Sequence, residues 1–85
     1  MIRSPNLIEI INSCTAKLSS TDDIEATVLS LSTRGVAYGK LGRIVEAIQD
    51  LERVTLINPN DGNTFGNLAF AYIKVERWKD VRNYL

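Results

Sequence analysis

The chain has no histidine, a single cysteine, one methionine, one tryptophan and only two prolines, and its ten Lys and Arg balance its ten Asp and Glu. Without histidine the usual general base and the commonest metal ligand are missing, and one thiol builds neither an internal disulfide nor a thiolate metal cluster. A formal net charge of zero supplies no long-range field for a phosphate backbone, so nucleic acid is not an expected partner. The longest unbroken apolar run, Leu68 to Ile73, is six residues, far short of the ~20 that a spanning helix needs, so no membrane partner is expected. The opening residues meet Glu9 soon after their first apolar side chains, which suits neither a secretory leader nor a transit peptide. The expected location is cytoplasmic, where a lone thiol stays reduced. No segment alternates apolar and polar residues between turn signals, which argues against strands.

What is present is 45% hydrophobic and 24% charged, enough for one folded domain over residues 1–85 and too little for two. A chain of this size gains about 4–12 kcal/mol on folding, so a missing structural neighbour matters. Leu7, Ile10, Ile11, Cys14 and Leu18 recur at helical spacing and predict a packing helix over 5–19, with Cys14 as a core residue. Thr21, Asp22 or Asp23 caps the next helix, 24–41, whose stripe is Val28, Leu31, Gly35, Tyr38 and Leu41 and which ends at a left-handed Gly42. A helix over 43–57 carries Ile44, Ala47, Ile48, Leu51, Val54 and Leu56, with Glu46, Asp50 and Arg53 as a solvated face, until Asn58 and Pro59 stop it. Phe65, Leu68, Ala69, Tyr72 and Ile73 predict a helix over 62–75, and Trp78, Val81 and Leu85 a fifth over 77–85. The fold class is all-α.

A shift of 34 residues superimposes Leu31 on Phe65, Gly35 on Ala69, Ala37 on Ala71 and Tyr38 on Tyr72, then Lys40 on Lys74, Ile44 on Trp78, Ala47 on Val81 and Leu51 on Leu85. Gly35 inside a helix costs about 1 kcal/mol against alanine, which is best explained by a second helix lying close against it. Ala47 and Ala69 are placed to serve the same way.

Leu31, Arg34, Gly35 and Tyr38, then Ala47 and Leu51, and finally Pro59 resemble the tetratricopeptide repeat pattern Trp-x2-Leu-Gly-x2-Tyr, Ala-x3-Phe and Pro, with Leu for Trp, Arg for Leu and Leu for Phe. A truncated second copy offers Phe65, Leu68, Ala69, Tyr72, Val81 and Leu85, so about one and a half repeats lie within residues 28–85. The period of 34, the terminal proline and the neutral charge favour this family over the RNA-reading pentatricopeptide arrays of period 35. The resemblance implies antiparallel helix-turn-helix units stacked as a short right-handed superhelix of about five helices, acting as a non-catalytic protein-interaction module without cofactor or metal.

The first helices of successive hairpins then line a concave groove that takes a peptide or helix of a partner protein. Helical geometry turns Leu29, Ser32, Thr33, Val36 and Lys40 toward it, and Asn63, Gly66, Asn67, Phe70, Ile73 and Lys74 from the next hairpin. The chaperone-binding relatives' carboxylate set is incomplete, because Ser32, Val36 and Asn63 stand where basic or amide residues belong. The alternative is structural: an unfinished repeat leaves Trp78, Val81, Tyr84 and Leu85 for self-association, as a homodimer or by exchange of helices. No nucleophile, base and orienting partner come together in the sequence, so no enzyme is expected.

Overall fold

The computed structural model describes the backbone of residues 6–83 and the side chains of residues 6–76. Four helices account for nearly all of it: α1 (Leu7–Ser20), α2 (Ile24–Lys40), α3 (Ile44–Ile57) and α4 (Gly62–Asn83). Among the described residues there is no strand. Each helix packs chiefly on the next in the chain, α1 on α2, α2 on α3 and α3 on α4, while α2 meets α4 only in passing.

Local chemistry sets the helix ends. Asn6 Oδ1 accepts from the Glu9 backbone N–H at 2.8 Å and its amide donates back to Glu9 Oε1 at 3.2 Å, a reciprocal cap on α1. Among the three cap candidates before α2 it is Asp23 that accepts, from Glu25 N–H at 3.1 Å, and Thr21 Oγ1 in turn accepts from Asp23 N–H. The α2–α3 turn depends on Gly42 at φ 85. Arg43 N–H reaches Tyr38 C=O at 2.9 Å and Gly42 N–H reaches Gly39 C=O at 3.1 Å, the Schellman closure that a left-handed residue permits. Asn58 ends α3, and Asp61 Oδ1 then accepts from the N–H groups of Asn63 and Thr64 to open α4.

The core lies along the α2–α3 contact, where Leu31, Ala37, Ile44, Ala47, Leu51 and Val54 are buried, with Ile11 added from α1 and Leu68 and Ala71 from α4. A Cβ on Gly35 would lie 3.0 Å from two carbons of Leu51 and 3.4 Å from Asp50 Cβ, so the missing methyl is what lets α3 approach. Leu51 is itself buried, so a methyl at position 35 has to displace a packed side chain.

Asp50 departs from the sequence reading. Rather than standing on a solvated face it is buried, 3% exposed, and accepts two bonds from Arg34, Nε to Oδ2 and Nη2 to Oδ1, each 2.7 Å. The third guanidinium nitrogen, Nη1, donates to Thr15 Oγ1 at 3.1 Å, so one side chain ties α1, α2 and α3 together. The hydrogen bond to Asp50 pushes the already high Arg34 pKa further up. Arg34 and Arg43 also lie over the Tyr38 ring, 5.7 and 5.2 Å from its centroid, and Arg43 pairs with Glu46.

The second departure is α4. Where separate helices were expected over 62–75 and 77–85, one continuous helix runs Gly62–Asn83, so the described residues form four helices where about five were expected. The reason is local: the shift that carries Arg43 onto Arg77 carries the turn residue Gly42 onto Glu76, and a side chain makes a left-handed turn expensive. Among the described residues no helix returns over this face: Phe65 and Tyr72 are 49% and 45% exposed and Ala69 is exposed too, although all three were expected in the core. The face that α4 does bury is Thr64, Leu68 and Ala71, rotated from the expected stripe toward α3. Of the other repeat-defining positions, Tyr38 is half-buried and Pro59 exposed in its turn. The side chains of Trp78, Val81, Tyr84 and Leu85 lie outside the described residues.

Replacing Arg34 tests the ion pair. Arg34→Leu strands the Asp50 carboxylate in the core and lowers the urea-unfolding free energy by about 3–5 kcal/mol, whereas Arg34→Leu with Asp50→Leu recovers most of that loss. Two glycine substitutions test the close approach. Gly66→Ala, at a helix position with nothing within 4 Å, stabilises by about 1 kcal/mol. Gly35→Ala, forced onto Leu51, destabilises by about 1 kcal/mol, and the two unfolding midpoints move in opposite directions.

Candidate functional site

Where α2 and α4 diverge above α3 they leave a groove, because α2 and α4 each pack on α3 and barely on one another. It consists of two adjoining hollows that share Asn67. The upper one, about 240 Å³, has an apolar floor of Val36, Ile44, Leu51 and Phe70, and Lys40 and Lys74 also line it. The lower one, about 510 Å³ and more open, is lined among others by Val28, Leu29, Ser32, Ile57, Asp61 and Asn63.

Seven of the nine residues expected to face a partner therefore share this groove: Leu29, Val36, Lys40, Asn63, Asn67, Phe70 and Lys74. Two do not. Thr33 is exposed and lines neither hollow, and Ile73, 57% exposed, lines neither as well. Both depart for the same reason: a helix presents an arc of about 100° to a groove, and one residue of spacing rotates a side chain by that whole arc. Sequence reasoning missed the contribution of α3 and of the α3–α4 turn, since Ile44, Ile57, Asn58 and Asp61 belong to no first-helix stripe. The glycines at 35 and 39 also line the upper hollow and deepen it.

The electrostatics are simple. Lys74 Nζ sits 4.6 Å from the centroid of the Phe70 ring, which holds a cation over an exposed aromatic face at the groove wall. Lys40 is exposed on the opposite wall. Phe70 and Leu29 remain 61% and 68% exposed, so apolar area is available on both helices. Ser32 Oγ is buried, lines the lower hollow and has no hydrogen-bond partner among the described residues. A buried hydroxyl left unpaired costs about 1–3 kcal/mol, which a polar group entering the groove would relieve.

Among the described residues no three His, Cys, Asp or Glu side chains stand close enough to hold a metal ion, and none of their helices is long and apolar enough to cross a membrane. Cys14, on α1, lines neither hollow. Burial pushes its thiol pKa up, against a smaller opposing pull from the Arg34 charge, so the thiol is held protonated. Comparisons with protein families, with curated proteins and with solved structures return no match to this chain.

The Cys14 environment predicts a pH response. Because the folded thiol has the higher pKa, alkylation by iodoacetamide at pH 8 runs slower in the folded chain than in urea, and the gap narrows as pH rises through the folded value. Equal rates at pH 8 would show that burial does not govern this thiol.

Proposed function

We propose that this chain is a non-catalytic protein-interaction module that takes a peptide or helix of a partner protein in the α2–α4 groove. The observation that carries the reading is the coincidence of apolar and charged groups there: Val36 and Phe70 offer anchor pockets while Lys40 and Lys74 stand on opposite walls. An extended or helical segment with an aliphatic or aromatic anchor and a carboxylate one turn or two residues away matches that pattern. The unpaired Ser32 hydroxyl further along the same groove gives such a segment a polar contact.

The finer architecture belongs to the same proposal. Three features support a tetratricopeptide-like hairpin over α2 and α3: the close approach at Gly35, the left-handed Gly42 and the Asn58, Pro59 stop. Stacking further hairpins of this kind produces a right-handed superhelix whose concave side is the groove. A module of this type with a lone, protonated thiol suits a reducing compartment such as the cytoplasm.

Screening an array of short peptides that pair Phe, Leu or Ile with Asp or Glu tests the reading. Binders with micromolar affinity are expected, weakened about tenfold by Phe70→Ala, a loss of about 1.4 kcal/mol. Lys74→Glu is expected to abolish the preference for acidic peptides and the dependence on salt. Retention unchanged by both substitutions would reject the groove as the binding site.

A further inference from the structure

The groove sorts its charges by position. The charged residues that line the upper hollow are Lys40 and Lys74, and those that line the lower hollow are Glu25 and Asp61. Helices α2 and α4 both run from the lower hollow to the upper one, so each wall begins with a carboxylate and carries a lysine further on. Glu25 and Lys40 stand fifteen residues apart on α2, about 22 Å at a helical rise of about 1.5 Å per residue. The lower carboxylates have capacity to spare. Asp61 commits Oδ1 to the N–H groups of Asn63 and Thr64, which leaves Oδ2, and the Glu25 side chain is exposed. Neither carboxylate is in an ion pair among the described residues. About half a positive charge sits at each helix N-terminus at that end, and the carboxylates of Asp23, Glu25 and Asp61 together outweigh it.

We infer that the lower hollow takes a basic side chain of the bound segment, so that the groove selects an extended segment with an acid beside its anchor and a base about six or seven residues away. This rests on the groove being the binding site proposed above. The spacing follows from the walls, because an extended chain advances about 3.3 Å per residue and covers about 22 Å in that number of steps. Two observations favour an extended segment over a helix. Helices α2 and α4 still touch in passing, which leaves no room between them for a third helix about 10 Å across. The buried, unpaired Ser32 hydroxyl needs a polar partner, and an extended backbone still has N–H and C=O groups to offer where a helix has bonded its own. The lower hollow also suits a long cationic side chain. Its stem lies along Val28, Leu29 and Ile57 while the charged end stays near water and the two carboxylates.

Short peptides with blocked ends supply the test: Asp and Phe side by side, four serines, then Arg, made in both chain directions and followed by fluorescence anisotropy. In the better direction the Arg peptide is expected to bind about fivefold tighter than one with Gln in place of Arg, or one with Asp and Arg exchanged, and to lose that advantage in about 0.5 M salt. Glu25→Gln with Asp61→Asn, which keeps an amide oxygen for the α4 cap, is expected to erase the advantage of Arg while the helical circular dichroism and the Phe70-dependent binding persist. Equal binding of the Arg and Gln peptides by the parent chain, with Phe70→Ala still weakening both, overturns the inference and leaves the groove reading standing. So does an Arg preference untouched by the two carboxylate substitutions. Failure of every peptide to bind, or binding indifferent to Phe70→Ala, overturns the groove reading and this inference together.

Discussion

One buried ion pair organises the first three helices. Arg34 reaches Asp50 with two bonds and Thr15 with a third, so the relative rotation of α1, α2 and α3 is set by a planar fork whose geometry tolerates little slack. Hydrophobic contact alone would let these small helices slide, because Ile11 is the one buried residue that α1 contributes. The ion pair lies beside the Gly35 approach, and Asp50 and Leu51 flank the missing Cβ together. Directional polar bonding and close packing therefore act at one point of the α2–α3 contact, and the groove above α3 inherits its width from it.

Much of this could be read from the residues, and what could not has a common cause. Helix positions followed from apolar spacing and from Asp23, Gly42 and Asn58, all local signals. The Arg34 and Asp50 pair was hidden because each residue alone reads as solvent-facing, and only the pair is compatible with burial. A trace was there: Asp50 lies on the same helical face as Ala47 and Val54, and the positions 34 residues beyond Arg34 and Asp50 are Leu68 and Tyr84, an apolar couple. The exposure of Phe65, Ala69 and Tyr72 was hidden for the opposite reason. Their own pattern matches Leu31, Gly35 and Tyr38 well, but what buries a residue is the neighbour that arrives, and α4 runs straight through Glu76 where the first hairpin turns at Gly42.

The groove shows the same division. Its walls follow from two helical stripes, which is why Leu29, Val36, Lys40, Asn63, Asn67, Phe70 and Lys74 come together. Its floor comes from α3, an element whose stripe is shared between α2 and the groove, and no single-helix reading assigns Ile44 or Leu51 to both. The cation placed over Phe70 and the unpaired Ser32 hydroxyl arise from side-chain conformations, which sequence spacing does not encode.

The order of packing, with each helix resting mainly on its chain neighbour, also decides how the molecule comes apart. In a linear stack the end units have one supporting surface and the inner units two, so protection grades from the flanks to the middle. Among the described residues α2 and α3 hold most of the buried positions, while α1 offers one and α4 three. The α2–α3 pair is thus the part of the molecule that opens last, at the highest free energy. The outer helices can open while the α2–α3 pair keeps its own buried contacts and the Arg34–Asp50 bonds.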